Sequence, residues 1–255
     1  MAGVQEEAGS RIKSGVTEGG NRGGAGALEA MMTQDDDKRA AAEAAVAEVQ
    51  PDMLVGLGTG STVRFAIEAL GRRVAGGLRV TAVATSLDSA ARAAALGIVV
   101  RDFAEVARVD LTIDGADEVD DRLWAIKGAG GAMLREKIVA AASTRMVVIA
   151  DASKRVAAIG GVKVPVEVLP FARGYVTDRL AMLDATVTVR DGVTDNCNIV
   201  LDARFAAFPD APALAGALDA TPGVLGHGLF LDEVDATYVA DRGIVTRLER
   251  VEVSG

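Results

Sequence analysis

Short apolar runs near residues 53–57, 79–84, 98–100, 109–113 and 146–150 alternate with helix-period segments near 62–72, 87–95 and 132–143, and this alternation is what most constrains the fold. Strands joined through helices run parallel, and such a sheet needs helical cover on its faces. A further helix is expected over 35–47. After residue 160 the rhythm changes: strand 164–168, helix 172–183, strand 185–190, the Asp191-Gly192 turn, strand 197–202, helix 211–219 and strand 224–231. That is the β-α-β-β-α-β order of a ferredoxin-like unit. The closing apolar segments, Ala236 to Ala240 and Ile244 to Leu248, are expected to return to the first sheet. The reading is therefore α/β: a Rossmann-like, mostly parallel sheet domain over 32–160 and 232–255, with a smaller ferredoxin-like α+β domain over 161–231.

Open α/β sheets bind ligands at the C-terminal ends of their strands, and three such ends here carry polar groups. The strand near 109–113 is expected to deliver Asp114, Gly115, Ala116 and Asp117 into a loop. Lys127-Gly128-Ala129-Gly130-Gly131 follows, where glycines let backbone approach a ligand, and a helix beginning near Ala132 returns Glu136 toward that loop. Carboxylates beside a lysine suit proton transfer at a carbon next to a carbonyl. By spacing alone, Arg135-Glu136-Lys137 also reads as a solvated helix face.

The second end is Gly56-Leu-Gly-Thr59-Gly60-Ser61-Thr62, a strand, a glycine turn and a helix that Ser61 or Thr62 can cap, with Val63, Ile67 and Leu70 at core-facing spacing. Its amides and hydroxyls suit a phosphate. Ser61 stands where the dinucleotide fingerprint needs its third glycine, and no Gly-Lys-Ser/Thr follows, so no cofactor is implied. The third end is Met146-Val-Val-Ile-Ala150 running into Asp151-Ala-Ser-Lys154, whose lysine can meet a phosphate as a point charge.

Met32-Thr-Gln-Asp35, Gly58-Thr-Gly-Ser-Thr62, Asp114-Gly-Ala-Asp-Glu118, Lys127-Gly, Arg135-Glu-Lys137, Ala150-Asp-Ala-Ser-Lys154, Pro165-Val-Glu-Val168 and Val193-Thr-Asp-Asn196 together resemble the A-type ribose-5-phosphate isomerases. The resemblance runs from Met32 to about Leu248. It implies interconversion of ribose 5-phosphate and ribulose 5-phosphate, with Thr59 to Thr62 holding the sugar phosphate, Asp114 and Asp117 as active-site aspartates and Glu136 as catalytic base. It implies that Lys127 and Lys154 bind substrate, and we assign Lys127 to the reacting oxygens and Lys154 to the phosphate; Lys38 matches a further lysine near the phosphate. A homodimer or homotetramer is implied as well, and the single cysteine, Cys197, fits a reducing cytoplasm. Ala129 departs from the family's run of glycines, and a positive φ there would strain it.

An aldose and its ketose differ by one proton on adjacent carbons. One carboxylate, Glu136, can take it from C2 and return it at C1, while Lys127 and the amides of residues 128–131 stabilise the enediolate and Asp114 or Asp117 helps open the furanose. With lysine in that role no metal is required, although the acidic loop is compatible with Mg²⁺. Neighbouring readings are an amino-sugar-phosphate deaminase, a coenzyme A transferase or a sugar-phosphate sensor. A sensor calls for a DNA-binding module, and a net charge of −9 argues against a nucleic-acid partner.

No apolar run approaches membrane length. The single cysteine, Cys197, excludes an internal disulfide, and the single histidine, His227, cannot build a metal site alone; both are read as structural. Residues 1–31, with the run Gly19-Gly-Asn-Arg-Gly-Gly-Ala-Gly26, lack hydrophobic periodicity, a signal core or the character of a transit peptide, and are expected to be a disordered extension.

Overall fold

Seven strands form the main sheet in the computed structural model, which describes residues 33–250; the extension expected over 1–31 lies outside the described residues. In chain order these are β1 (Leu54–Leu57), β2 (Thr81–Ala84), β3 (Val99–Val100), β4 (Leu111–Gly115), β7 (Met146–Asp151), β13 (Ala236–Asp241) and β14 (Ile244–Glu249). Across the sheet they lie β14-β13-β7-β4-β1-β2-β3, and every pairing is parallel except the terminal β13–β14 hairpin. From β1 the chain steps outward through β2 to β3, then crosses back to β4 on the other side of β1. The strand order therefore reverses between β1 and β4, and the crevice beyond their carboxyl ends is where such a sheet binds ligands.

Helices α1 (Gln34–Val46), α2 (Ser61–Ala75), α3 (Leu87–Ala95) and α4 (Met133–Ala141) accompany this sheet. Thr33 opens α1 with a reciprocal cap, its hydroxyl accepting from the Asp36 amide while the Asp36 carboxylate accepts from the Thr33 amide. Ala41, Ala42 and Ala45 are fully buried, so α1 lies close against β7 and β13. On α2 the expected core positions Val63, Ile67 and Leu70 are all buried, among Leu57, Leu111, Ile113 and Ile149. Full burial of one such aliphatic side chain contributes about 1.5–3 kcal/mol.

The second sheet contains β8 (Val164–Val168), β9 (Ala185–Val189), β10 (Ile199–Phe205) and β11 (Val224–His227), with α5 (Arg173–Ala181) and α6 (Ala211–Asp219) in the connections. Its order β11-β8-β10-β9 is antiparallel throughout, which is the ferredoxin-like arrangement. A third sheet, absent from the sequence reading, joins β5 (Glu118–Val119), β6 (Ala125–Ile126) and β12 (Leu229–Phe230).

One expected strand divides. Residues 224–231 form β11 in the second sheet and β12 in the third, and the chain changes sheets at Gly228. There the Gly228 amide donates to the Pro165 carbonyl and the Gly228 carbonyl accepts from the Lys127 amide, each at 2.8 Å. One residue thus links all three segments, and pairing on one side alone cannot continue through it.

Candidate active site

Asp114 occupies the end of β4 itself rather than the loop expected for it, and its side chain is fully buried. Its Oδ1 accepts the amides of Thr59 at 3.1 Å and Gly115 at 2.7 Å, drawing the turn after β1 onto the end of β4. Gly58 makes that approach possible, because a Cβ there would lie 1.9 Å from Asp114 Oδ1. The other carboxylate oxygen stands 2.8 Å from the Lys127 ammonium.

Lys127 follows β6, and the third sheet aims it. The Asp117 amide donates to Ile126 and the Lys127 amide to Gly228, so the β5–β6 hairpin folds back over the end of β4. The ammonium donates to the Gly115 carbonyl and lies 3.2 Å from Glu136 Oε2. Glu136 sits in the first turn of α4, and at 3 % exposure it is no solvated helix face. Its neighbours turn elsewhere: Arg135 donates to Asn196, and Lys137 pairs with Glu233.

These three buried groups bring two carboxyls to one ammonium. Burial pushes both carboxyls above the ordinary carboxylate range, against the pull of Lys127. For Glu136, burial and then the charge on Asp114 raise the carboxyl to about 8; Lys127, despite burial, is held up at about 12 by the two acids. Asp114 has two backbone donors besides the ammonium and is the better-stabilised anion. The two carboxyls titrate as a pair around Lys127, and Glu136 is the member raised to about 8.

Beside this cluster lies a cavity of about 280 Å³, lined by residues 59–62, 115–117 and 127–130 with Glu136 and Lys154. Asp117 faces it and accepts the Ala129 amide at 2.9 Å. Neither Ser61 nor Thr62 caps α2: the N-cap is Gly60, which has no side chain to offer. Amides left uncapped at a helix N-terminus, together with two hydroxyls, suit an anion. Lys154 follows β7 in a turn where Asp151 accepts the Ser153 amide at 3.0 Å. Among the described residues, no group of three or more His, Cys, Asp or Glu side chains has a metal-binding arrangement.

The family model of ribose 5-phosphate isomerase A (phosphoriboisomerase A) matches residues 81–243. A ribose-5-phosphate isomerase A from Sphingopyxis alaskensis is 50% identical over 221 residues, which cover 85% of this chain and 97% of that protein. The chain belongs to the ribose-5-phosphate isomerase A family. Solved isomerases of the family share its fold. The enzyme from Neisseria gonorrhoeae superposes with a TM-score of 0.82 at 37% identity, over 86% of this chain and 99% of its own. A D-ribose-5-phosphate isomerase in complex with phospho-erythronic acid also gives 0.82, at 34% identity over 86% and 100% of the two chains.

Of the site residues expected from this isomerase's sequence, all but Asp114, Gly131 and Lys38 line the cavity, and Asp114 stands directly behind it on Lys127. Lys38 is not among the lining residues; its ammonium pairs with Asp35 at 3.1 Å. Ala129, where the resemblance implies a glycine, sits without strain, because the left-handed positions in the loop are Gly128 (φ +109°) and Gly131 (φ +75°). His227 is buried and neutral, with burial and then Lys137 lowering it to about 4, while Cys197 is exposed in a left-handed turn position. Sequence reasoning missed Gly228, which pins Lys127, and Thr85, whose hydroxyl meets that of Thr59 at 2.8 Å. Neither lies in a motif, and each gains its place only through another strand.

Proposed function

We infer that this protein interconverts ribose 5-phosphate and ribulose 5-phosphate, an aldose–ketose isomerisation of the non-oxidative pentose phosphate pathway, by moving one proton between C1 and C2. The observation that carries the assignment of roles is Glu136: a carboxyl at the cavity wall, 3.2 Å from an ammonium, with burial raising it to about 8. A general base works best when its pKa lies near the operating pH, and one so placed contributes about 10²- to 10⁴-fold.

In this reading the substrate phosphate lies at the open N-terminus of α2 on the amides and hydroxyls of residues 59–62, with Lys154 supplying positive charge. The carbons reach toward Glu136. Glu136 removes the C2 proton; Lys127 and the loop amides meet the negative charge as it develops on the enediolate oxygens; Glu136 then returns the proton to C1. Asp117, which faces the cavity, assists opening of the furanose. Asp114 touches no cavity surface, so its part is to hold Lys127 and the Thr59 turn in place.

No helix among the described residues is long and apolar enough to cross a membrane. A cytoplasmic homodimer or homotetramer belongs to the same proposal, and Phe171, 96% exposed, with the exposed Tyr175 offers apolar surface for an interface.

Purified protein incubated with ribose 5-phosphate should form the ketose, and kcat/KM should rise with pH through an ionisation near 8 as Glu136 loses its proton. The substrate phosphate titrates near 6, below that window. Folded protein that makes no ketose contradicts the function; a profile flat between pH 7 and 9 contradicts an ionisation of Glu136 in that window.

A further inference from the structure

The glycine-rich loop between Lys127 and α4 is held from behind by one side chain of the second sheet. Arg190 follows β9, and its Nη1 donates to two consecutive carbonyls of that loop, Gly128 at 2.9 Å and Ala129 at 3.0 Å. The rest of the guanidinium is committed to Asp202 on β10, through Nε at 3.2 Å and through Nη2. Asp202 is only 4% exposed and takes Lys163 as a second cation. Arg190 is therefore fixed before it meets the loop.

In a trans peptide the carbonyl and the following N–H point in opposite directions. Two successive carbonyls converging on one cation thus turn two successive amides, those of Ala129 and Gly130, away from it. The Ala129 amide reaches Asp117 at 2.9 Å, and the Gly130 amide finds no acceptor among the described residues while Gly130 lines the cavity. Successive amides facing one way form a concavity suited to negative oxygen.

We propose that Arg190 is a positioning residue of the isomerisation, which aims the Ala129 and Gly130 amides and, through the first, Asp117. The proposal rests on the reading of residues 128–130 as part of the substrate site. Only arginine fits the task, because a planar fork can bind a carboxylate bidentately and still present a third donor edge, whereas a lysine is a single point charge. Misplacing such groups by about 1 Å typically loses about 100-fold in rate.

Arg190→Ala should lower kcat about 10- to 100-fold, with KM and the affinity of a competitive sugar-phosphate inhibitor within about three-fold of wild type. Arg190→Lys should fall between the two, and guanidinium ion at non-denaturing concentration should restore part of the kcat of Arg190→Ala but leave wild type unchanged. Asp202→Asn keeps the arginine but loosens its aim, so it should lower kcat in the same sense; this variant decides the matter if Arg190→Ala does not fold. A kcat within about two-fold of wild type, or a loss no larger than the unfolded fraction of the sample, overturns the proposal. Wild-type protein that forms no ketose in the same assay would instead strike the isomerase reading itself.

Discussion

Lys127 and Lys154 carry the same charge in different surroundings, and we propose different work for them. Lys127 is buried between Asp114 and Glu136, whereas Lys154 lies on the cavity wall with the uncapped turn that opens α2. A phosphate contact persists from ground state to transition state, so its loss weakens binding more than it slows chemistry. Lys154→Ala should accordingly raise KM about ten-fold or more with kcat within about three-fold, as steady-state kinetics would read. A collapsed kcat at unchanged KM would move Lys154 to the reacting carbons. Asp117 and Lys154 were legible as candidates because they follow apolar runs into loops, and Lys127 because a glycine-rich run follows it. Glu136 was not legible from spacing: Arg135-Glu-Lys137 reads as a solvated face, but α4 packs on β4, β8 and β11 and its Glu136 meets Lys127, while Arg135 and Lys137 find Asn196 and Glu233, partners 61 and 96 residues away. The burial that pushes Glu136 to about 8 comes from strands and side chains outside its own helix, which local pattern does not contain.

Helices and strands with strong periodicity fell where the sequence put them. Residues 87–95 and 211–219 are helical and 164–168 are a strand, with the bounds read from apolar spacing and turn residues. The third sheet escaped because its strands are two residues long each, too short for any period. The break at Gly228 escaped because it depends on Lys127 and Pro165 approaching from two other segments. Just before that break, His227 ends β11 with Nε2 donating to Asp219 at 3.1 Å and Nδ1 accepting the Leu229 amide at 3.2 Å. Burial lowers it to about 4 in the folded chain, against 6.5 when unfolded. As pH falls from about 6.5 toward 4 the unfolded chain takes up a proton that the folded one refuses, so stability drops through that window and is whole above it. Urea unfolding of wild type and His227→Asn at pH 7 and pH 5 should therefore show wild type losing about 2 kcal/mol more than the variant. Glu136 runs in the opposite sense, gaining stability on acidification from about 8 toward 4.5, and the comparison cancels it. Equal losses in the two proteins would mean that His227 is protonated in the fold.

Across the whole molecule, the site exists because the sheet reverses its order between β1 and β4, bringing together groups from residues 59–62, 114–117, 127–136 and 154. The alternation of elements announced a parallel sheet, but strand order follows from how helices pack, and only the structure reveals that these strand ends are neighbours. We propose that residues 32–160 with 232–255, and residues 161–231, are the two domains of the enzyme, joined at the site by Arg190. Removing residues 1–31 should leave kcat within about two-fold and the melting temperature nearly unchanged, since the family resemblance begins at Met32 and a relative's length is matched to 97% by 85% of this chain. A large fall in either quantity on truncation would give the leader a structural part.

The proton itself is the most direct witness. In deuterated water, wild-type protein should exchange the C2 hydrogen of ribose 5-phosphate during turnover. Glu136→Gln, which keeps the size and hydrogen bonding of the side chain but cannot accept a proton from carbon, should lose exchange and turnover together by at least about 10²-fold, while a competitive sugar-phosphate inhibitor binds within a few-fold of its wild-type affinity. Near-normal exchange in Glu136→Gln would show that another carboxylate, Asp117 or Asp114, takes the proton, and that Glu136 serves only to hold Lys127.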